Sequence, residues 1–290
     1  MRERTRFGIV DATTHTDAQL RDALCSAFAD YAVPMRPSPA AFDLMMRQRG
    51  LDRTVSRIAT MDGAIVAIWL VGRRGSASYL IASGTMPEHR GRGIARALAS
   101  ASLDALRAAG VETFRTEVIA GNAHARSLYE RLGMRTTRTL ACFKLGVAVF
   151  RDTLMPRAPG SDISIRAVPW SDIRDHASEF ADWPPSWQND DASLDALGDD
   201  VLGLLAGSRS SPLAVAAVVP GNGTLARIAV RSNARRRGIG TTLVRAAMEW
   251  SAGEGIEVIN AQANDAAFAG FMRGLRADGT VDQCELSMIL

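Results

Sequence analysis

Two short stretches of this chain combine arginine and glycine in the way an anion site requires. Arg90-Gly91-Arg92-Gly93-Ile94-Ala95 and Arg235-Arg236-Arg237-Gly238-Ile239-Gly240 each fall where a strand-like apolar run gives way to a long amphipathic helix. The first turn of a helix leaves its backbone N–H groups without intrahelical partners and carries the positive end of the helix dipole. Glycine there lets a phosphate approach without a Cβ in the way. Arg90 and Arg235 add formal charge. Neither stretch is a Walker loop, since no Gly-Lys-Ser/Thr follows, and neither is a GxGxxG dinucleotide fingerprint. Each reads as a cradle for a diphosphate-bearing ligand.

The two stretches are copies in one repeat, and a repeat decides architecture before local structure does. Arg90 and Arg235 are 145 residues apart, half of the 290-residue chain, and Gly110-Val111-Glu112 and Gly255-Ile256-Glu257 each begin 17 residues beyond Gly93 and Gly238. The first half reads as strand Phe7 to Val10, helices Asp17 to Tyr31 and Ala40 to Arg49, and a meander of Val55 to Met61, Ile65 to Gly72 and Ser76 to Thr85 turning at Asp62-Gly63. Helix Arg92 to Ala109, strand Thr113 to Ile119, helix Ala123 to Leu132 and two closing strands over Met134 to Val149 complete it. The second half repeats the order with strand Ile163 to Ala167, a helix from Ser171, strands Val201 to Leu205, Leu213 to Val219 and Leu225 to Val230, helix Ile239 to Ala252 and strand Ile256 to Ala261. The expected fold is α+β, two tandem domains over 1–150 and 163–290, each a mixed, mostly antiparallel sheet flanked by helices. A linker over 151–162 is marked by Pro156, Pro159 and Gly160.

Bulk properties narrow the class. A hydrophobic fraction of 47% and a charged fraction of 22% are those of an ordinary globular protein. The longest apolar stretch, Ala64 to Val71, is far below the roughly 20 residues of a membrane helix, and the charged Met1 to Arg6 has no apolar core behind it, so a cytoplasmic protein without a membrane partner is expected. A net charge of +3 is too small and too evenly spread for nucleic acid to be a partner. Cys25, Cys142 and Cys284 lie far apart, which points to buried thiols and to neither a disulfide framework nor a metal site.

The repeated stretch resembles the signature of the GNAT superfamily of acetyl-coenzyme A-dependent N-acetyltransferases, Arg/Gln-x-x-Gly-x-Gly/Ala between a strand and a long helix. The first half also resembles it downstream, through Glu117-Val118-Ile119-Ala120-Gly121-Asn122, Ala125, Leu128-Tyr129-Glu130 and Leu132-Gly133-Met134. The stretch Asp30-Tyr31-Ala32-Val33-Pro34 is similar to one in two-domain bacterial members. The resemblance implies acetyl-coenzyme A as co-substrate. It implies that Arg90, Gly91, Arg92, Gly93, Ile94 and Ala95 hold the pyrophosphate, and that Gly84, Thr85, Met86 and Asn122 meet the pantetheine. Asn122 is also a good N-cap for the helix that follows.

Acyl transfer from a thioester to an amine needs the amine deprotonated, the carbonyl polarised and the leaving thiolate protonated. The resemblance makes Tyr129 the general acid, and a phenol of pKa about 10 suits a thiolate leaving group. Glu117 resembles the strand glutamate that serves as base in ribosomal-protein N-terminal acetyltransferases, and alternation in its strand sets it with Arg115 on the face opposite Phe114 and Val118. A chain of waters is the other route for that proton. His89 and His124 read as solvated residues.

All three tyrosines, Tyr31, Tyr79 and Tyr129, lie in the first half. Matching Asn264 to Asn122 puts Phe271 in the place of Tyr129, and Ile259 or Gln262 in that of Glu117. The second half therefore reads as a degenerate copy that kept its loop, a second cofactor site formed by Arg235, Arg236, Arg237, Gly238, Ile239 and Gly240, and lost its chemistry. Trp183 to Asn189 reads as the lining of a substrate groove, a domain interface or a packed loop. The expected activity is transfer of acetyl to a primary amine, of a small molecule or a peptide N-terminus, by direct attack in a ternary complex. The rival readings are a non-enzymatic acyl-coenzyme A sensor and a protein N-terminal acetyltransferase. Asp30 and Asp43 are candidates to attract a cationic amine.

Overall fold

The structure, a computed structural model, describes residues 7–31, 35–148, 163–252 and 255–290. Met1 to Arg6, Ala32 to Pro34 and the expected linker with Pro156, Pro159 and Gly160 lie outside the described residues. The chain divides into two compact units. Unit 1 comprises Met1–Val118, Asn122–Thr137 and Glu285–Leu290, and unit 2 comprises Ile119–Gly121 and Arg138–Cys284. The units therefore depart from a simple division into 1–150 and 163–290, because each includes closing-strand residues from the other half of the repeat.

Unit 1 opens with β1 (Gly8–Asp11) and α1 (Asp17–Ala27). A reciprocal cap starts α1: Thr16 Oγ1 accepts from the Gln19 amide at 3.3 Å and Gln19 Oε1 accepts from the Thr16 amide at 2.8 Å. In α2 (Pro39–Arg49), Ser38 caps the start, Pro39 takes the first position and Gly50 ends the helix in the left-handed region at φ 70°. Strands β2 (Arg57–Met61), β3 (Ala64–Arg74) and β4 (Ala77–Thr85) continue the antiparallel sheet from β1. Asp62 and Gly63 turn the β2–β3 hairpin at φ 51° and 79°, as the twist of a two-residue turn favours. Helix α3 (Ile94–Ala108) buries Ile94, Leu98, Ala99, Leu103 and Leu106, a stripe at helical spacing. Strand β5 (Thr113–Ile119) runs parallel to β4, and α4 (Ala123–Arg131) follows.

The two closing strands expected over Met134 to Val149 are one strand, β6 (Arg135–Gly146), with no Gly, Pro, Asn, Asp or Ser before its last residue to turn it. Most of β6 belongs to unit 2, where it pairs antiparallel with β11 (Gly255–Gln262). Unit 2 further contains β7 (Ile165–Pro169), α5 (Arg174–Glu179), α6 (Asp191–Asp195), β8 (Leu202–Ser208), β9 (Ser211–Val219), β10 (Thr224–Val230), α7 (Ile239–Trp250), α8 (Ala266–Gly274) and most of β12 (Asp278–Ile289). Its strands follow the order β6-β11-β10-β9-β8-β7. The helix expected from Ser171 is a 3-10 turn, Trp170–Asp172, followed by the short α5. The helix expected to reach Tyr31 ends at Ala27.

One device recurs in both units. Leu70 pairs with Ala82 and Val71 with Leu80, so Ile81 is an extra residue in β4; Val218 pairs with Leu225 and Ala217 with Arg227, so Ala226 is an extra residue in β10. Such a bulge bends its strand away from the neighbour. Among the described residues β4 and β5 pair only from Ala77 to Tyr79 with Thr113 to Arg115, and β10 and β11 only at Thr224 with Glu257. Beyond those pairs each sheet opens into a gap, at whose end the arginine and glycine loop stands.

Candidate active site

The gap of unit 1 ends at the first turn of α3. Gly91 and Gly93 take φ values of 74° and 78°, and Gly93 stands at the N-cap without a side chain to cap the helix. Among the described residues nothing accepts a hydrogen bond from the amides of Gly91 through Arg96. These donors are aligned with the helix dipole, the disposition an anion cradle needs. Ile94 is buried in the core and offers the cradle its amide alone, while Arg92 donates to the Glu88 carbonyl at 3.2 Å.

Arg90 is engaged within the protein. Its guanidinium grips Asp30 with two hydrogen bonds of 2.7 and 2.8 Å and donates to the carbonyls of Ala27 at 3.1 Å and Thr85 at 3.0 Å. This grip holds the Asp30 carboxyl below its usual range. Arg90 thus ties the loop to the segment after α1. The bidentate pair gives Asp30 its partner, and Arg47 pairs with Asp43 at 3.0 Å.

At the end of β4, the Met86 amide donates to the Val66 carbonyl at 3.0 Å, and the Thr85 carbonyl is the one taken by Arg90. Gly84 is a glycine for packing: a Cβ there would come within 2.7 Å of the Ala27 Cβ and 2.9 Å of the Phe28 ring. Gly84→Ala is expected to cost about 1–3 kcal/mol of stability, measured by chemical denaturation, as the end of α1 gives way.

Tyr129 is the buried residue of α4, 6% exposed, with its ring edge-on to Trp69 at 6.3 Å between centroids. Trp69 stacks in turn on Phe114 of β5 at 6.4 Å. Burial first, and the proximity of Tyr31 second, raise the Tyr129 phenol well above its ordinary pKa. Its hydroxyl makes no hydrogen bond to any of the described residues. Asn122 caps α4 as expected, its Oδ1 accepting from the Ala125 amide at 3.1 Å, and its Nδ2 donates to the Tyr31 hydroxyl at 3.0 Å.

Glu117 is half-buried on β5, and its Oε2 accepts from the Tyr79 hydroxyl at 2.8 Å. Burial and the Glu117 charge keep Tyr79 protonated, so it serves as a fixed donor to the carboxylate. His124 is exposed on α4 and His89 lies in the turn before the loop. Among the described residues no cluster of His, Cys, Asp or Glu could hold a metal, and no helix is long and apolar enough to cross a membrane.

Unit 2 carries a cleft of about 420 Å³ in the corresponding gap. Arg235, Arg236, Gly238, Ile239 and Gly240 line it, and Arg237 does not. Arg236 takes the place of Gly91 and adopts φ 62°, at a cost of roughly 1 kcal/mol for a side chain in the left-handed region. The aromatic stretch is part of this cleft: Trp183, Pro185, Ser186 and Asn189 line it, while Ser186 Oγ and Asn189 Oδ1 are buried with no hydrogen-bond partner among the described residues. Arg227 in its floor is neutralised by Asp191 at 3.1 Å. The cap of α8 is Asp265, which accepts from the Phe268 amide at 2.9 Å, and the Ala277 amide closes on the Met272 carbonyl as the Met134 amide closes on that of Tyr129. The counterpart of Asn122 is therefore Asp265 rather than Asn264. That of Tyr129 is Met272 rather than Phe271, a one-residue shift that leaves unit 2 without an acid.

A model of the acetyltransferase (GNAT) family matches residues 20–134 and again 159–274. The tandem GNAT protein from the clavulanic acid biosynthesis pathway shares the fold with a TM-score of 0.71 at 14% identity, over 98% of each chain. A GCN5-related N-acetyltransferase of Sphaerobacter thermophilus does so with 0.69 at 17% identity, over 99% of this chain and 96% of its own. Among curated relatives, the mycothiol acetyltransferase of Beutenbergia cavernae is 41% identical over 73 residues, a quarter of either protein's length.

Proposed function

This chain belongs to the acetyltransferase (GNAT) family, twice over, and on that premise we propose that unit 1 transfers an acetyl group from acetyl-coenzyme A to a primary amine by direct attack. The observation that carries the reading is the meeting of a free-amide cradle, an opened strand pair and an unbonded phenol in one unit. The amides of Gly91 to Arg96 suit the pyrophosphate, and the gap beyond Tyr79 and Arg115 suits an extended pantetheine arm. Bound there, acetyl-coenzyme A would supply the acyl group and a thiolate leaving group. Tyr129 protonates that thiolate as the C–S bond breaks and the C–N bond forms. The amine's proton leaves through water towards Glu117, which Tyr79 holds in one orientation.

Unit 2 has a cleft and a loop but Met272 in the acid's place, which supports a site that holds the coenzyme without turning it over. Calorimetric titration of the full chain with acetyl-coenzyme A is expected to count two sites, one of which disappears in Gly238→Asp with the rate of thiol release retained. One site lost in Gly93→Asp would leave unit 2 a scaffold. No heat, together with no thiol release across a panel of amines, would remove the acetyltransferase assignment.

A further inference from the structure

The loop arginine is the same internal clamp in both units. Arg90 holds Asp30 and gives its Nε proton to the Thr85 carbonyl at 3.0 Å; Arg235 holds Asp182 at 3.0 Å and gives its Nε proton to the Val230 carbonyl at 2.9 Å. An aromatic residue follows each aspartate, Tyr31 and Trp183, and each reaches the helix that bears the acid position. The Tyr31 hydroxyl accepts from Asn122 at the cap of α4, at 3.0 Å, whereas Trp183 meets the Phe268 ring of α8 edge-on at 5.1 Å. Packing alone is served by tryptophan against phenylalanine in the unit whose acid position holds Met272. A hydroxyl is found at this point only in the unit that has a phenol to aim.

We propose that Tyr31 is a positioning residue for proton delivery by Tyr129, held in place by the Arg90–Asp30 clamp; the inference rests on the acetyl-transfer reading. The Asn122 side chain is used at both ends, with Oδ1 on the Ala125 amide and Nδ2 on Tyr31. Tyr31 thereby fixes the roll of Asn122 and, through it, the first turn of the helix that carries Tyr129. Phe28 pins the Tyr31 ring edge-on at 5.1 Å, and the clamp pins the preceding residue to the coenzyme loop. Loop and acid are thus joined through Arg90, Asp30, Tyr31 and Asn122, and a displacement of the phenol by a fraction of an ångström changes the rate steeply.

The test uses the full chain. Tyr31→Phe keeps the ring and removes one oxygen, and Tyr31→Trp places the residue type of unit 2 there without its hydroxyl partner. Both are expected to lower kcat for thiol release about tenfold, and in Tyr31→Phe KM for acetyl-coenzyme A and the melting temperature stay nearly unchanged. Asn122→Ser retains a capping oxygen but loses the amide that donates to Tyr31. If Tyr31 acts through Asn122, the double variant Tyr31→Phe/Asn122→Ser falls no further than the worse single one. An unchanged kcat in Tyr31→Phe, a loss that appears in KM alone, or fully additive losses overturns the proposal while the parent chain remains active. A parent chain silent with every amine overturns the reading beneath it, and that is seen before any variant is made.

Discussion

Replacing Tyr129 with phenylalanine is expected to lower kcat about a hundredfold while the dissociation constant of acetyl-coenzyme A stays nearly constant. The ring, its burial and its edge-on contact with Trp69 survive the substitution, so the packing around it keeps its shape. Only the proton for the leaving thiolate is lost. Because that proton is needed only as the C–S bond breaks, kcat and kcat/KM should fall together, the pattern of an interaction made in the transition state. The direction of the Tyr129 shift adds a second expectation. A raised phenol stays protonated as pH rises, so this acid should cause no alkaline decline in kcat below about pH 10, the ordinary phenol value. Rates of thiol release by Tyr129→Phe equal to those of the parent would transfer the acid's role to water.

Gly93→Asp is the second large effect, and its target is binding. An aspartate at the end of the loop brings a negative charge to the cradle and an oxygen that competes for the very amides a phosphate would use. The left-handed φ of 78° makes the residue mildly strained, roughly 1 kcal/mol, so the fold should persist. Affinity for acetyl-coenzyme A is expected to fall by about 1.4–2.8 kcal/mol, ten- to a hundredfold, in calorimetric titration, with circular dichroism unchanged. Free phosphate or sulfate should compete with the coenzyme in the parent and lose that ability in the variant. Retained affinity would place the pyrophosphate elsewhere.

Local chemistry was readable from residue type, and long-range pairing was not. Asn122 as a cap, Asp62-Gly63 as a hairpin turn and the α3 stripe each depend on neighbours within a few residues. The repeat placed both loops correctly, because glycine and arginine at a helix start carry their physics with them. By contrast, the Arg90–Asp30 clamp joins residues 60 apart, and nothing in either side chain names its partner. Tyr79 and Glu117, 38 residues apart, were equally illegible as a pair. Asn264 and Asp265 are both good caps, and only the hydrogen bond from Phe268 decides between them. The apolar residues of Met134 to Val149 announced strand, read as two where β6 is one, and left open which edge it would meet.

That last choice governs the order in which the chain can complete itself. The Leu290 amide bonds the Glu112 carbonyl at 2.9 Å, and Glu285–Leu290 belongs with the unit built mainly from the first half. A ribosome that has just made β5 must therefore add about 170 more residues before the Glu112 carbonyl beside that strand gains this partner. At about 5–20 residues per second, its edge waits on the order of ten seconds. During that interval the nascent first half presents an open strand edge, the kind of template that invites pairing with another chain. Its window of exposure is written into the connectivity, and slower translation lengthens it.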